Sequence, residues 1–204
     1  VTQSIFVELF KNGTIIEDLR PNIYDPVEGT TIADAEVERL PRKTKLVDVK
    51  WQLDDGSELI ISTTRPELIC ACGVVVVHPD DERYRHLVGQ KITLPLPTNG
   101  REKTVQIMTH SSVKSDFGSG VLMVCSFGDQ NDVAVFRELG LTPFQAINLE
   151  GRMTEIAGKW ANMTVTEARK SVIEYLEEND KVAKIEERDQ EVPVSERGKN
   201  PVEI

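Results

Sequence analysis

Two carboxylates three residues apart form the first group in this sequence that could do chemistry. Asp129 and Asp132 follow an apolar run that opens with Gly118-Ser119-Gly120 and that is typical of a buried strand. A segment with helical character begins directly after them. Carboxylates between a strand and a helix N-terminus can line a polar pocket, but aspartate is also a common helix N-cap. The local chemistry by itself favours the cap.

Another segment with the pattern of a buried strand is followed by a second candidate cluster, Thr63-Thr64-Arg65-Pro66-Glu67. These residue types fit the start of a helix, since threonine caps it, proline occupies its first turn and glutamate interacts favourably with its dipole. Two adjacent hydroxyls beside free backbone donors also suit a small polar ligand and a water molecule. Periodicity does not decide between the two interpretations.

Other kinds of site have no signature in the sequence. It contains no nucleophile elbow and no glycine-rich phosphate loop. Cys70 and Cys72 lie in an apolar stretch and are interpreted as core residues, and three cysteines in all are typical of a reducing, cytoplasmic compartment. No metal site is expected, because the three histidines lack ligand spacing and are interpreted as structural or exposed: His78, His86 and His110.

The composition limits the possible partners. The 204 residues carry a formal net charge of −10, which argues against a protein that grips nucleic acid over a broad basic face. A domain that receives only one nucleotide end remains compatible with this charge. No apolar run approaches the length of a membrane span, and no signal pattern is present, so we expect no membrane partner.

The hydrophobic pattern predicts an α+β, β-rich fold, a β-barrel-like domain with short peripheral helices. Strands are expected at residues 44–53, 58–63, 73–77, 91–96, 104–108 and 118–124, with a hairpin around Asn99-Gly100. Helices are expected at residues 5–10, 80–87, from 132 onward and from 164 onward, the last with a capping box. Residues 182–194 are weak as a strand and are interpreted as an edge or a linker.

Taken together, four motifs resemble the editing domain of valyl-tRNA synthetase, an insertion in the class I synthetases for valine, isoleucine and leucine. They occur in the family's order at residues 63–67, 78–84, 117–120 and 129–132. Residues 25–38 and 195–204 are similar to the segments that lead into and out of that domain, although the family commonly has histidine where Ser195 stands. The resemblance covers nearly the whole chain, and the form of residues 124–132 is similar to an archaeal-type branch.

The resemblance implies a division of the chain and an activity. Residues 1–43 would be an N-terminal arm, 44–180 the editing β-barrel domain, and 181–204 a return linker toward a catalytic domain. The implied activity is post-transfer editing, in which positioned water hydrolyses the ester of threonine mischarged onto the tRNA for valine. The domain itself would need no cofactor, since ATP and magnesium belong to the parent synthetase. A monomer is expected.

Residue roles also follow from the resemblance alone. Asp132 falls where the family binds the α-amino group of the substrate, and Asp129 where it reads the threonine hydroxyl. The expected catalytic residues are Asp132, Thr63 and Thr64, the threonines lying beside the water and the terminal adenosine. The remaining expected substrate-binding residues are Arg65, Glu67, Phe117, Met123 and Cys125. Met123 and Cys125 are departures, since many valine enzymes have lysine and threonine there.

Two alternatives remain open at this level. The isoleucine enzyme's editing domain would clear valine instead of threonine. A non-catalytic module would only dock the acceptor end of tRNA, and the loss of a cation at Met123 gives that interpretation some support. A structural β-barrel whose aspartates only cap a helix is disfavoured by the four matching motifs.

Overall fold

The fold is given by a computed structural model that describes residues 1–17, 21–97 and 102–204. These ranges contain three α-helices, α1 (Thr2–Lys11), α2 (Gln130–Glu138) and α3 (Val165–Glu178). Nine strands are assigned: β1 (Tyr24–Asp25), β2 (Thr30–Thr31), β3 (Val37–Leu53), β4 (Glu58–Thr63), β5 (Cys72–Val77), β6 (Lys91–Thr93), β7 (Thr104–Thr109), β8 (Val121–Cys125) and β9 (Val182–Ser195). Short 3-10 helices lie at Asp34–Glu36, Pro66–Ala71, Arg85–Leu87 and Glu155–Trp160.

Seven strands form one curled sheet. Its order is β4-β3-β6-β7-β5-β8, with β9 paired to the outer part of β3. All pairs are antiparallel except β5 with β7. The sheet curls until its two ends, β4 and β8, approach each other. This half-barrel with a few short helices confirms the predicted β-rich α+β class.

Strand β5, between β7 and β8, is buried on both faces, as its continuous valines predicted. Val75 and Val77 belong to the main core, together with Trp51, whereas Val74 and Val76 face a smaller core closed by α2. Phe136 of α2 packs directly on Gly73, where a Cβ atom would lie 2.5 Å from the ring. Glycine therefore allows this helix to lie close to the sheet.

Strands β3 and β9 form a long two-stranded ribbon that the sequence pattern did not reveal. β3 spans 17 residues, not the ten expected, and β9 pairs with it from Val37↔Ser195 to Val49↔Val182. Most side chains of the outer ribbon are exposed or half-buried, so the alternation that marks a strand with one buried face is weak. β3 runs through residues 43 and 44, and the expected division of the chain there stays a prediction.

The other expected elements are confirmed in part. The 91–108 segment pairs as β6 with β7, although the turn at Asn99-Gly100 lies outside the described residues. The prediction of a helix at residues 80–87 is wrong, because only Arg85–Leu87 is helical, and this segment is a 3-10 helix. There the Asp81 side chain accepts hydrogen bonds from the backbone and guanidinium of Arg83, which favours a turn over a helix.

Helix α3 closes the main core as its capping box predicts. The Thr164 hydroxyl accepts a hydrogen bond from Glu167 N–H, and the Glu167 carboxylate accepts one from Thr164 N–H. The apolar face of α3 packs against Trp160, whose ring meets Tyr175 edge to face at 5.3 Å. No helix among the described residues has the length and apolarity needed to span a membrane.

The two ends of the domain are joined by a buried carboxylate. Asp25 is fully buried, and its two oxygens accept four hydrogen bonds: from the backbone N–H groups of Val27 and Glu28, from Ser195 Oγ at 2.6 Å and from Asn200 Nδ2 at 3.2 Å. Burial alone would raise the pKa of Asp25, but these hydrogen bonds hold it below its usual value. Ser195 thus has a structural partner 170 residues away in sequence.

We expect Ser195→Ala to lower the free energy of unfolding by about 2 kcal/mol, the size of a hydrogen bond to a buried charged group. Urea denaturation at pH 7 measures this. Ser57→Ala is the matched control, because Ser57 also donates to an aspartate, Asp55, but at an exposed site. We expect a much smaller loss there, and equal losses in the two variants would contradict the buried role of Asp25.

Candidate functional site

A cavity of about 310 Å³ lies where the two ends of the sheet approach each other. Its walls come from the end of β4, the loop before β8, β8 itself and the N-terminus of α2. Eight of the nine residues predicted from the sequence line it: Thr63, Thr64, Arg65, Phe117, Met123, Cys125, Asp129 and Asp132. The fold therefore brings together two motifs that are more than 50 residues apart in the chain.

The threonine pair lies where β4 ends. Thr63 is buried, and its Oγ1 accepts a hydrogen bond from Arg65 N–H at 3.0 Å, which turns the chain toward Pro66. Pro66 begins a 3-10 helix, so the helix start that these residues suggested is present, but in the tighter form. Thr64 follows the strand on the cavity wall and makes no side-chain hydrogen bond to any residue in the described ranges.

Arg65 connects three parts of the domain. Its Nε donates to Glu67 Oε1 at 3.1 Å, its Nη1 to the carbonyl of Gly128 at 3.1 Å and its Nη2 to Glu203 Oε2 at 2.6 Å. Burial alone would lower the pKa of Arg65, but the charges of Glu203 and Glu67 raise it above its usual value. The guanidinium is thus permanently charged and holds the chain just before Asp129.

Glu67 lies behind the cavity wall instead of lining it. Its side chain is fully buried, and Arg169 binds both of its oxygens, at 2.9 Å and 2.7 Å. Burial alone would raise the pKa of Glu67, whereas Arg169 and Arg65 lower it below its usual value. Glu67 acts on the cavity through Arg65, and its expected direct contact with a substrate stays a prediction.

Asp129 caps helix α2, and both Asp129 and Asp132 line the cavity. Asp129 is the N-cap of α2, since its Oδ1 accepts a hydrogen bond from Asp132 N–H at 2.9 Å. Asp132 Oδ2 accepts one from Cys125 N–H at 3.1 Å. A Cβ atom on Gly128 would lie 2.2 Å from Asp132 Oδ2, so glycine leaves the room that this carboxylate occupies. The cap and the pocket, which the sequence presented as alternatives, are both present.

The position of Asp132 makes the ionisation of its carboxyl group unfavourable. Burial, and then the nearby charge of Asp129, raise the pKa of Asp132 to about 8. The hydrogen bond from Cys125 and the charge of Arg65 oppose the shift without cancelling it. The free site therefore holds a carboxyl group that a cationic ligand would ionise.

Strand β8 contributes apolar wall and no nucleophile. Met123 is buried, and Cys125 donates its thiol hydrogen to the carbonyl of Leu68 at 3.3 Å. Burial raises the pKa of Cys125 well above its usual value, so the thiol stays neutral. Neither side chain supplies the cation or hydroxyl that the resembling enzymes commonly have there.

The loop that carries Phe117 is attached to the neighbouring strand. Ser119 N–H donates to Ser62 Oγ at 3.3 Å, and Ser62 Oγ donates to Asp48 at 2.6 Å. Gly118 has a φ of +57° and lies so close to Ser62 that a Cβ atom would be 2.7 Å from the serine oxygen. Phe117 itself remains half exposed at the cavity mouth.

Sequence reasoning missed the part of the cavity wall that the β3–β9 ribbon supplies. Leu46, Arg188 and Gln190 all come from the β3–β9 ribbon, and Thr44 Oγ1 donates to Gln190 Oε1 at 3.1 Å. Only their strand register could have revealed them, and the pairing of β9 with β3 is not encoded locally. Within residues 1–17, 21–97 and 102–204, no group of three or more histidine, cysteine or acidic side chains is placed to hold a metal ion.

We expect Glu67→Ala to lower the free energy of unfolding by about 3 kcal/mol, because it removes a fully buried carboxylate and leaves the partly buried guanidinium of Arg65 with one fewer partner. Arg169 is partly exposed and can turn to water, which keeps the loss from being larger. Thermal or urea unfolding measures it. Glu174→Ala is the control, since the Glu174–Lys170 pair is exposed; a loss as small as the control's would contradict the buried ion pairs.

The raised pKa of Asp132 predicts a pH-dependent stability. Between the unfolded value near 3.8 and about 8, the folded state binds a proton that the unfolded state releases, so this group's contribution to stability falls as the pH rises. Asp132→Asn keeps an oxygen for Cys125 N–H and removes the titration. We expect its stability relative to the unchanged chain to increase from pH 4 to pH 8.5 in urea denaturation, and a constant difference would refute the shift.

Comparison with known proteins shows which proteins contain a segment similar to this chain. No protein-family model matches the chain. A valine–tRNA ligase from Aeropyrum pernix is 40% identical over 205 residues, covering 100% of this chain and 24% of that protein. Those from Archaeoglobus fulgidus and Nanoarchaeum equitans are 42% and 43% identical over 203 and 205 residues, again covering 100% of this chain. The chain spans about a quarter of the length of these curated relatives. Over its whole length the chain is similar to one segment of these archaeal valine–tRNA ligases.

Proposed function

We propose that this segment edits misacylated tRNA by hydrolysing the ester of threonine attached to the tRNA for valine. The observation that carries the proposal is one cavity that combines the carboxylates of Asp129 and Asp132 with the hydroxyl-bearing wall of Thr63 and Thr64. The match of the whole chain to valine–tRNA ligases supports it. The partners are then the 3′-terminal adenosine of the tRNA and the catalytic domain of the parent enzyme, where ATP and magnesium would act.

Physical chemistry explains why such an enzyme needs a second site. A hydrophobic pocket shaped for valine cannot strongly reject threonine, because the two differ by a methyl and a hydroxyl of nearly equal volume. A site that recognises the hydroxyl and hydrolyses the ester corrects the error. Such a site needs an anion for the ammonium group, an acceptor for the hydroxyl and a position for the attacking water.

The two aspartates can meet the first two needs. The substrate ammonium would favour the ionised form of Asp132 and bind to it, since an opposite charge nearby lowers a carboxyl pKa. Asp129 uses Oδ1 for the helix cap, and its Oδ2 makes no hydrogen bond within the described part of the chain. That oxygen is available to accept a hydrogen bond from the hydroxyl group of threonine.

The ester would be attacked by water instead of by a protein side chain. Cys125 is neutral and bonded to a carbonyl, so it is not an activated nucleophile. Thr63 and Thr64 would hold the water at the end of β4, while the permanently charged Arg65 lies beside them. Catalysis then depends on proximity and on electrostatic stabilisation of the developing oxyanion.

Deacylation of threonyl-, valyl- and isoleucyl-tRNA by this chain tests the proposal. We expect hydrolysis of the threonyl ester alone, and a loss of kcat/KM of about 100-fold in Asp132→Ala, because it removes a charged contact to the ammonium. Asp129→Ala should reduce the preference for threonine over valine by about tenfold. The control is Asp54→Ala, an exposed turn residue outside the cavity, which should behave as the unchanged chain.

Two results would favour a function other than the hydrolysis of threonyl-tRNA. Clearance of valyl-tRNA at the full rate would favour the isoleucine type of editing domain. Absence of hydrolysis of every ester, at high protein concentration and with tRNA still bound, would favour a non-catalytic docking module, the alternative that the apolar Met123 supports.

A further inference from the structure

Strand β9 brings a cation to the mouth of the cavity. Arg188 lies in the middle of this strand, opposite Thr44 of β3, and its side chain lines the cavity. Its guanidinium carbon lies 4.9 Å above the centre of the Phe117 ring. A guanidinium over an aromatic ring is attracted to the ring face, and the N–H groups of Arg188 donate no hydrogen bond to another residue of the described chain.

No carboxylate of the described chain forms an ion pair with Arg188; Lys184 is the main cause of the lowered pKa of Glu186, and the charge of Arg188 adds to it. Glu186, the neighbour of Arg188 on the same face of β9, pairs with Lys184 at 2.6 Å. The other arginine of the cavity, Arg65, has its N–H groups occupied by Glu67, a backbone carbonyl and Glu203. Among the described residues of the cavity wall, Arg188 is therefore the cation that remains open to an anionic ligand.

We propose that Arg188 binds the phosphodiester on the 5′ side of the terminal adenosine of the substrate. The proposal rests on the editing function above and adds a residue that sequence motifs did not identify. An aminoacyl nucleotide carries an ammonium at one end and a phosphate at the other. Asp132 suits the first, and a guanidinium with free N–H edges suits the second, because it can donate two parallel hydrogen bonds to phosphate oxygens.

The strand gives this arginine a defined position. The ribbon pairs continuously on both sides of Arg188, from Val37↔Ser195 to Asp48↔Lys184, so its backbone is held by inter-strand hydrogen bonds. The Phe117 ring restricts the side chain further, and the loop carrying that ring is bonded to Ser62. A pre-positioned guanidinium loses little conformational freedom when it binds phosphate.

Two substrates separate this inference from the proposed function. Threonyl-adenosine has no phosphate, whereas the threonyl ester of the trinucleotide cytidylyl-cytidylyl-adenosine has one on the 5′ side of the adenosine. Hydrolysis of both by the unchanged chain tests the editing function without reference to Arg188. The ratio of the two kcat/KM values, trinucleotide over adenosine, then reports the phosphate contact.

We expect Arg188→Ala to reduce that ratio about tenfold, through a higher KM for the trinucleotide, and Arg188→Lys to recover part of the loss. The slope of log affinity against log salt concentration for the unacylated trinucleotide should become about one unit shallower in the alanine variant. Arg39→Ala is the matched control, since Arg39 is exposed at an odd-numbered position of β3, facing away from Leu46 and the cavity. Urea denaturation confirms that each variant is folded.

An unchanged ratio in Arg188→Ala would overturn the inference and leave the editing function standing. If the ratio is unchanged because both substrates lose activity equally, Arg188 acts by holding Phe117 and not by binding phosphate. If the unchanged chain hydrolyses neither ester, the editing function itself fails and the phosphate role fails with it.

Discussion

The buried charge of Glu67 is the constraint on which the site depends. An unpaired carboxylate in the interior costs several kcal/mol, so the chain must bring guanidinium groups to it, and Arg169 and Arg65 meet that requirement. Arg65 is thereby held in one orientation, in which it also binds the carbonyl of Gly128 and the carboxylate of Glu203. The loop before helix α2, the end of β4 and the C-terminal segment are positioned by one set of ion pairs.

The cavity itself exists because the two ends of the sheet approach each other. Strands β4 and β8 come from distant parts of the chain, and their approach creates a cavity whose polar groups stand on strand ends and a helix N-terminus. Asp129 uses one oxygen to cap the helix, and the same residue lines the cavity. A capping residue can in this way serve binding without losing its structural role.

The charges in the cavity suit a ligand with two unlike ends. Burial, and then the nearby charge of Asp129, make Asp132 costly to ionise, and a cation bound beside it would favour the ionised form. Arg188 supplies an open positive group at the mouth. Functional sites commonly lower the stability of the free protein in this way, since groups that await a ligand are imperfectly paired without it.

Local signals in the sequence determined the β-rich class, the doubly buried strand β5 and the capping box of α3, whereas eight residues of the cavity wall were identified from the family resemblance. Local signals depend on neighbouring residues, whose spacing and chemistry can be read directly. Only the tertiary structure decided that Asp129 both caps and lines, that Glu67 lies behind the wall, and that Ser195 bonds to Asp25. It also decided the β3–β9 ribbon and hence the position of Arg188, because pairing between distant strands solvated on both faces leaves no periodic pattern in either.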